Sequence, residues 1–132
     1  FSVAKPKIVN INKTVNYQGI DFMIVSAEKG TEFKGRNAPE GKDNLVLNVE
    51  AKNSSAKQVI VFYEEEVRVL NESGEIIPLK NYKMENNFDP QSEAKGFLLF
   101  LVAKDNKKFQ LQFGKRSLPK VEVEFEITEG SA

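Results

Sequence analysis

The chain has 132 residues, 19 of them Lys or Arg and 19 Asp or Glu, so its net charge is zero; 40% are apolar and 29% charged. That is the profile of one globular domain. It excludes a transmembrane helix, since no apolar run is long enough, a disordered chain, and a general electrostatic pull toward nucleic acid or an acidic membrane.

The chain has no His, Cys or Trp. Without His and Cys there is no Ser-His-Asp triad, thiol nucleophile, disulfide, thiolate zinc site or iron–sulfur cluster. Carboxylate, Lys, Tyr or Ser chemistry remains, or a hard cation held by oxygens. The first residue is Phe1, with no charged segment leading into an apolar stretch, so the chain reads as a trimmed piece of a longer product.

Val, Ile, Phe and Tyr outnumber Leu, Ala and Met, which favours pleated sheet. In chain order, residues 1–11 read as a lead-in. Val15–Tyr17 and Ile20–Ala27 are strands separated by Gln18-Gly19, a tight hairpin turn. Ile20 to Val25 is interrupted only by Asp21, as in a strand buried on both faces. Glu28 to Asp43 is a long connection. Leu45, Leu47, Val49 and Ala51 then alternate with Asn48, Glu50 and Lys52, the two-residue period of a half-buried strand, ended by Asn53-Ser54-Ser55. Ala56 to Glu66 reads either as a strand entering a short helical turn or as two short strands.

Val67–Leu70 and Glu75–Leu79 flank Asn71-Glu72-Ser73-Gly74, a turn with Gly last. A second long connection runs from Lys80 to Glu93 and contains the turn Asp89-Pro90. Phe97 to Val102 is apolar on both faces, and Lys104–Lys107 is a hairpin loop. Phe109, Leu111 and Phe113 alternate with Lys108, Gln110 and Gln112; Val121, Val123, Phe125 and Ile127 alternate with Glu122, Glu124 and Glu126. This spacing predicts an all-β sandwich or barrel. The runs apolar on both sides require an outer face covered by a loop, a short helix or a partner chain.

The order of these motifs resembles a known family. A hairpin carries a Gly between two short strands, Val15-Asn16-Tyr17-Gln18-Gly19-Ile20-Asp21-Phe22. A long strand ends in Asn53-Ser54-Ser55. The strand and turn Val69-Leu70-Asn71-Glu72-Ser73-Gly74 follow, then Asp89-Pro90-Gln91-Ser92-Glu93 and Lys95-Gly96-Phe97-Leu98-Leu99-Phe100, and a closing hairpin spans Phe109 to Phe113. Over residues 12–127 the chain is similar to the telokin-like, immunoglobulin-like domain of unknown function found on bacterial cell-surface lipoproteins, grouped with a superfamily named for a secreted immunoprotective antigen. It departs from that pattern at Asn71, where an acidic residue is usual, and at Gln91-Ser92, where Gly is usual. The resemblance implies a site outside the membrane, tethered by a lipidated Cys upstream, and no catalytic residues.

The expected fold is an all-β, antiparallel immunoglobulin-like β-sandwich of seven to nine strands over residues 12–128, with a polar tail at 129–132. The expected core is Phe22, Ile24, Leu45, Leu47, Val49, Val67, Val69, Phe97, Leu99, Leu101, Phe109, Leu111, Val123 and Phe125.

The candidate contact residues are Phe33, Tyr82 and Phe88, aromatics in the two long polar connections and natural anchors for a partner. The alternative is that they fold back and plug the open end of the sandwich. Lys34 and Arg36, with Gly30 and Gly35, could accept a phosphate, but no Gly-Lys-Ser/Thr ending exists and the loop reads as solvated. Glu64, Glu65 and Glu66 with Glu122, Glu124 and Glu126 lack the converging oxygens of a Ca²⁺ site and read as a solvated edge facing lysines. No carboxylate pair stands out for glycoside hydrolysis. Three Asn-x-Ser/Thr patterns, at Asn12, Asn53 and Asn71, matter only in a secretory pathway that glycosylates.

No cofactor or metal is expected, and no catalysis. The leading function is an extracytoplasmic binding or adhesion module on a cell-surface lipoprotein, its partner an unknown protein or cell-envelope component. No contact with nucleic acid or membrane is expected, and the state is a monomer or weak homo-oligomer. The alternatives are a structural spacer and a subunit that assembles by strand pairing.

Overall fold

The computed structural model describes residues 6–115 and 121–127, so the expected tail at 129–132 lies outside the described residues. The chain opens with β1 (Lys7–Tyr17) and β2 (Ile20–Gly30). Gln18 and Gly19 join them at φ 55° and 88°, the mirror-image turn that fits the twist of paired strands. β1 begins inside the stretch read as a lead-in. Its register slips between Asn10 and Lys13 and Asn12 has φ 51°, and this bulge breaks the alternation that marks a strand in sequence.

A small hairpin follows, β3 (Glu32–Phe33) and β4 (Arg36–Asn37), then the long β5 (Lys42–Asn53). β6 (Val59–Ile60) leads into a single helical turn, α1 (Tyr63–Glu66), which settles the two readings of Ala56 to Glu66 in favour of strand then helix. Next are β7 (Val67–Asn71), β8 (Ile76–Pro78), β9 (Asn81–Lys83) and β10 (Asn87–Phe88). β11 (Glu93–Ala103), β12 (Lys108–Phe113) and β13 (Val121–Glu126) complete the order.

Five strands form one sheet, β1-β2-β5-β11-β9, and four form a second, β13-β12-β7-β8; two-residue ladders join β10 to β6 and β3 to β4. Every pairing among the described residues is antiparallel. The two large sheets meet across a shared core, which makes the fold an antiparallel β-sandwich. Phe113 of the second sheet stacks on Phe22 of the first at 4.8 Å and meets Tyr17 at 5.8 Å. Burying each such ring contributes about 1.5–3 kcal/mol.

The register of β11 corrects the expected core. Leu98, Phe100 and Val102 are buried, while Phe97, Leu99 and Leu101 lie half-buried on the outer face. Every position from Phe97 to Val102 is apolar, so alternation cannot choose a face. The pairing of Leu98 with Leu47 and of Phe100 with Leu45 does. Phe125 is also only half-buried: it stands on the edge strand β13, stacked on Phe109 at 5.5 Å.

Against β5, β2 slips by one residue between Ile24 and Ser26, leaving Val25 as the extra residue. Ile20, Phe22 and Ile24 face the core before the bulge, Ala27 and Lys29 after it. Gly96 marks a close crossing. A Cβ there would fall 1.6 Å from the Lys83 carbonyl oxygen, because the chain leaving β9 passes directly over β11.

The turn after β5 is organised by Asn53, which is fully buried. Its Nδ2 donates to the carbonyls of Lys57 (2.8 Å), Phe88 (3.0 Å) and Asp89 (3.2 Å), and its Oδ1 accepts from the Ser55 N–H and hydroxyl. One side chain thus holds the start of β6 against the end of β10.

Candidate functional site

The outer face of the five-stranded sheet carries the candidate site. Its floor is the row Phe97, Leu99 and Leu101, projecting from alternate positions of β11. The β3–β4 hairpin folds back over one end of this row, in the manner expected of a covering loop. Its turn is Lys34-Gly35, with φ 51° and 78°, a two-residue turn for which Gly is suited. Phe33 meets Phe97 edge to face at 5.0 Å. The Lys34 ammonium lies 5.6 Å from the Phe33 ring centre and 5.8 Å from that of Phe97, an attraction worth about 0.5–1 kcal/mol at an exposed site.

The base of the hairpin is pinned. The Ala38 N–H donates to the Thr31 carbonyl at 2.7 Å, and Asn44 Nδ2 donates to the same carbonyl at 3.0 Å. Behind it, Lys29 Nζ, 5% exposed, donates to Asp43 Oδ2 at 3.0 Å and to the Lys104 carbonyl at 2.6 Å. Lys104 Nζ donates to Asp43 Oδ1 at 2.9 Å. Burial pushes the Asp43 carboxyl up, but the hydrogen bonds from Lys104 and Lys29, with their charges, outweigh it and hold the group below its ordinary range.

Between the hairpin and the start of β9 lies a groove of about 490 Å³, lined by Phe33, Lys34, Arg36, Asn37, Pro39, Asn44, Lys80, Asn81, Phe97, Leu99 and Leu101. Its ionisable groups are all cations, and among the described residues none of Lys34, Arg36 and Lys80 has a carboxylate within salt-bridge distance. The groove is therefore apolar below and positive at its rim. A second depression, about 560 Å³, lies over β12 and β13. There Gln110 donates to Glu124 at 3.5 Å, and Glu72 accepts from the Lys107 and Lys108 N–H groups.

The three sequence-predicted contact residues do not come together. Phe33 lies half-buried at the groove. Tyr82 is also half-buried, but it pairs with the inward-facing Leu98 and packs on Tyr63 at 5.1 Å. Phe88 is fully buried, edge-on to Phe22 at 6.2 Å; it is a core residue and has no surface to offer a partner. The groove floor lies outside the core in which its apolar sequence places it, and Lys80 and Asn81 carry no local signal. The combination that could have exposed the site is an apolar run on both faces with a cationic aromatic loop of sufficient length to cover it.

The acidic triplet is divided. Glu64 and Glu65 are exposed, while Glu66 is buried, accepting from the Tyr17 hydroxyl and, at 2.7 Å, from the Phe62 N–H. Glu122, Glu124 and Glu126 are exposed on β13. Among the described residues no group of three His, Cys, Asp or Glu side chains is placed to hold a metal ion, and no helix is long and apolar enough to cross a membrane.

No family profile matches the chain, and none of the curated proteins matches it in sequence. Solved structures share its fold. A conserved hypothetical protein from Bacillus anthracis superposes with a TM-score of 0.68 at 12% identity, covering 96% of this chain and 100% of that one. An uncharacterised β-sandwich protein from Clostridium difficile gives 0.60 at 12% identity, covering 96% and 97%. A candidate lipoprotein from Bacillus subtilis gives 0.63 at 12% identity, covering 94% of this chain and 39% of that longer one. The chain is thus similar in fold to bacterial β-sandwich proteins of undescribed role.

Proposed function

We propose that the protein is a non-enzymatic, extracytoplasmic binding module of immunoglobulin-like type, carried on a lipid-anchored surface protein, and that it binds through the groove between the β3–β4 hairpin and β9. The groove carries this reading: three half-buried apolar side chains lie in a row, Phe97 against Phe33, and are rimmed by cations that have no counter-charge among the described residues. The candidate lipoprotein among the structural neighbours supports the location, as does the order of the sequence motifs. The chemistry of the lining supports binding over turnover. Lys34, Arg36 and Lys80 supply charge, and among the described residues no carboxylate lines the groove with them to act as an acid–base partner.

Assembly by strand pairing is less well supported. The outer edges are short at β8, which ends in Pro78, and at β9; β13 carries three exposed glutamates; β1 is bulged, and its Lys13 donates to the Glu124 carbonyl of the facing sheet at 3.0 Å. Such edges resist added strands. The test is capture of cell-envelope proteins by the immobilised chain and by a Phe33→Ala, Leu101→Ser variant of unchanged circular dichroism. Loss of a specifically captured protein is expected. An identical captured set would refute binding through the groove.

A further inference from the structure

Resting on that reading, we infer that the occupant of the groove is a short, extended acidic–apolar peptide segment of a partner protein, its apolar side chains over Leu99 and Leu101 and its carboxylates against Lys34, Arg36 and Lys80. Charge is the first argument. The three cations share one lining that contains no carboxylate among the described residues, although the chain as a whole is neutral with 19 acidic residues. Lys34 is held over two aromatic rings rather than by a salt bridge, so pairing it with an incoming carboxylate breaks no existing ion pair.

The spacing of the floor is the second. Phe97, Leu99 and Leu101 occupy every other position of one strand, so their side chains repeat at about 6.6 Å. An extended peptide repeats its same-face side chains at that interval, whereas a helix does not.

Relief is the third, and it separates a peptide from a bilayer. Among the described residues the large apolar side chains that protrude are Ile8, Ile60, Phe62 and Ile76, and none of them lines the groove. The floor is recessed beneath Phe33 and flanked by Lys80 and Asn81, accessible to a single chain and not to a flat lipid surface.

The test uses fluorescence anisotropy of the full chain with three labelled ten-residue peptides, in which Glu alternates with Leu, Lys with Leu, or Glu with Ser. The Glu–Leu peptide is expected to bind at least tenfold more tightly than either control. A Lys34→Glu, Arg36→Glu variant, both positions exposed, is expected to weaken it about tenfold or more, and added salt to weaken it in the wild type. Equal affinity for all three peptides, an unchanged affinity in the variant, or co-sedimentation with phosphatidylglycerol vesicles in place of peptide binding would overturn the inference. If envelope capture still depends on Phe33 and Leu101 while the peptides fail, the ligand class is wrong and the binding role stands. If both fail, the binding role falls too.

Discussion

Replacing Gly96 by Ala adds one methyl group at the tightest point of the fold. The new Cβ would lie 1.6 Å from the Lys83 carbonyl oxygen, 2.8 Å from its carbon and 2.9 Å from Met84 Sδ. Ordinary contacts are about 3.5 Å or more, so the β9 backbone has to retreat by roughly 2 Å. Retreat loosens its ladder to β11, which pairs Asn81, Tyr82 and Lys83 with Leu99, Leu98 and Phe97, at about 1 kcal/mol per hydrogen bond, and disturbs Tyr82 on Tyr63, worth about 1 kcal/mol. Restricting the unfolded chain offsets about 0.4–1 kcal/mol. The net loss is about 2–3 kcal/mol, a fall in Tm on the order of 10 °C. Because Lys80 and Asn81 line the groove, the damage reaches the binding surface as well. Urea unfolding gives the magnitude, and amide exchange at Tyr82 and Lys83 locates it. Gly35→Ala is the control: nothing lies within 4 Å, and only its φ of +78° penalises a side chain. An unchanged midpoint for Gly96→Ala, or a loss with β9 exchange unaltered, would refute the reasoning.

Asp43→Asn removes the counter-charge of the buried Lys29 and is expected to cost about 3 kcal/mol at neutral pH. Since the folded carboxyl is held below its ordinary range, its contribution is whole above the unfolded-state pKa and is lost as pH falls through the folded one; wild type and variant should converge in acid unfolding curves, and parallel curves would count against the network. At the alkaline end, burial and then the neighbouring Glu66 push Tyr17 up, and burial and then Tyr82, Glu85 and Glu66 push Tyr63 up. Their stabilisation is whole below pH of about 10 and declines as pH rises toward the folded values, so absorbance titration should show delayed ionisation of both, lost in urea. Phe88→Ala should cost about 3–5 kcal/mol, against roughly 1 kcal/mol or less for Phe33→Ala; equal denaturation midpoints would contradict the core position of Phe88.

The sequence exposes sheet edges and partly solvated strands well. Val121 to Ile127, Leu47 to Ala51 and Phe109 to Phe113 alternate because one side of each meets water or polar neighbours, and each lies on a strand, whereas the buried Val46 breaks the alternation of β5 at its covered end. Strands covered on both sides carry no such asymmetry. In β11 the facing direction is set by partners on β5, far away in sequence, which is why Phe97, Leu99 and Leu101 were legible as apolar and illegible as a groove floor. Phe88 is hidden by its setting: Asn86, Asn87 and Asp89 surround it, and the ladder to β6 together with the carbonyl bonds to Asn53 draws that stretch over the end of the core. Of the candidate site, Phe33, Lys34 and Arg36 stood out locally, while the floor and the far rim depend on tertiary pairing.

The surplus residue in β2 gives this strand a reserve of length. Losing Val25 would flatten the kink and leave every later residue opposite the same neighbour on β5, Ala27 and Lys29 still turned inward. A regular ladder offers no such slack, because dropping one unit there inverts everything downstream. The middle of a covered strand, ordinarily the least forgiving place for a deletion, is here a place where the pairing with β5 lets the chain shorten without exchanging the lysine beside Asp43 for Gly30.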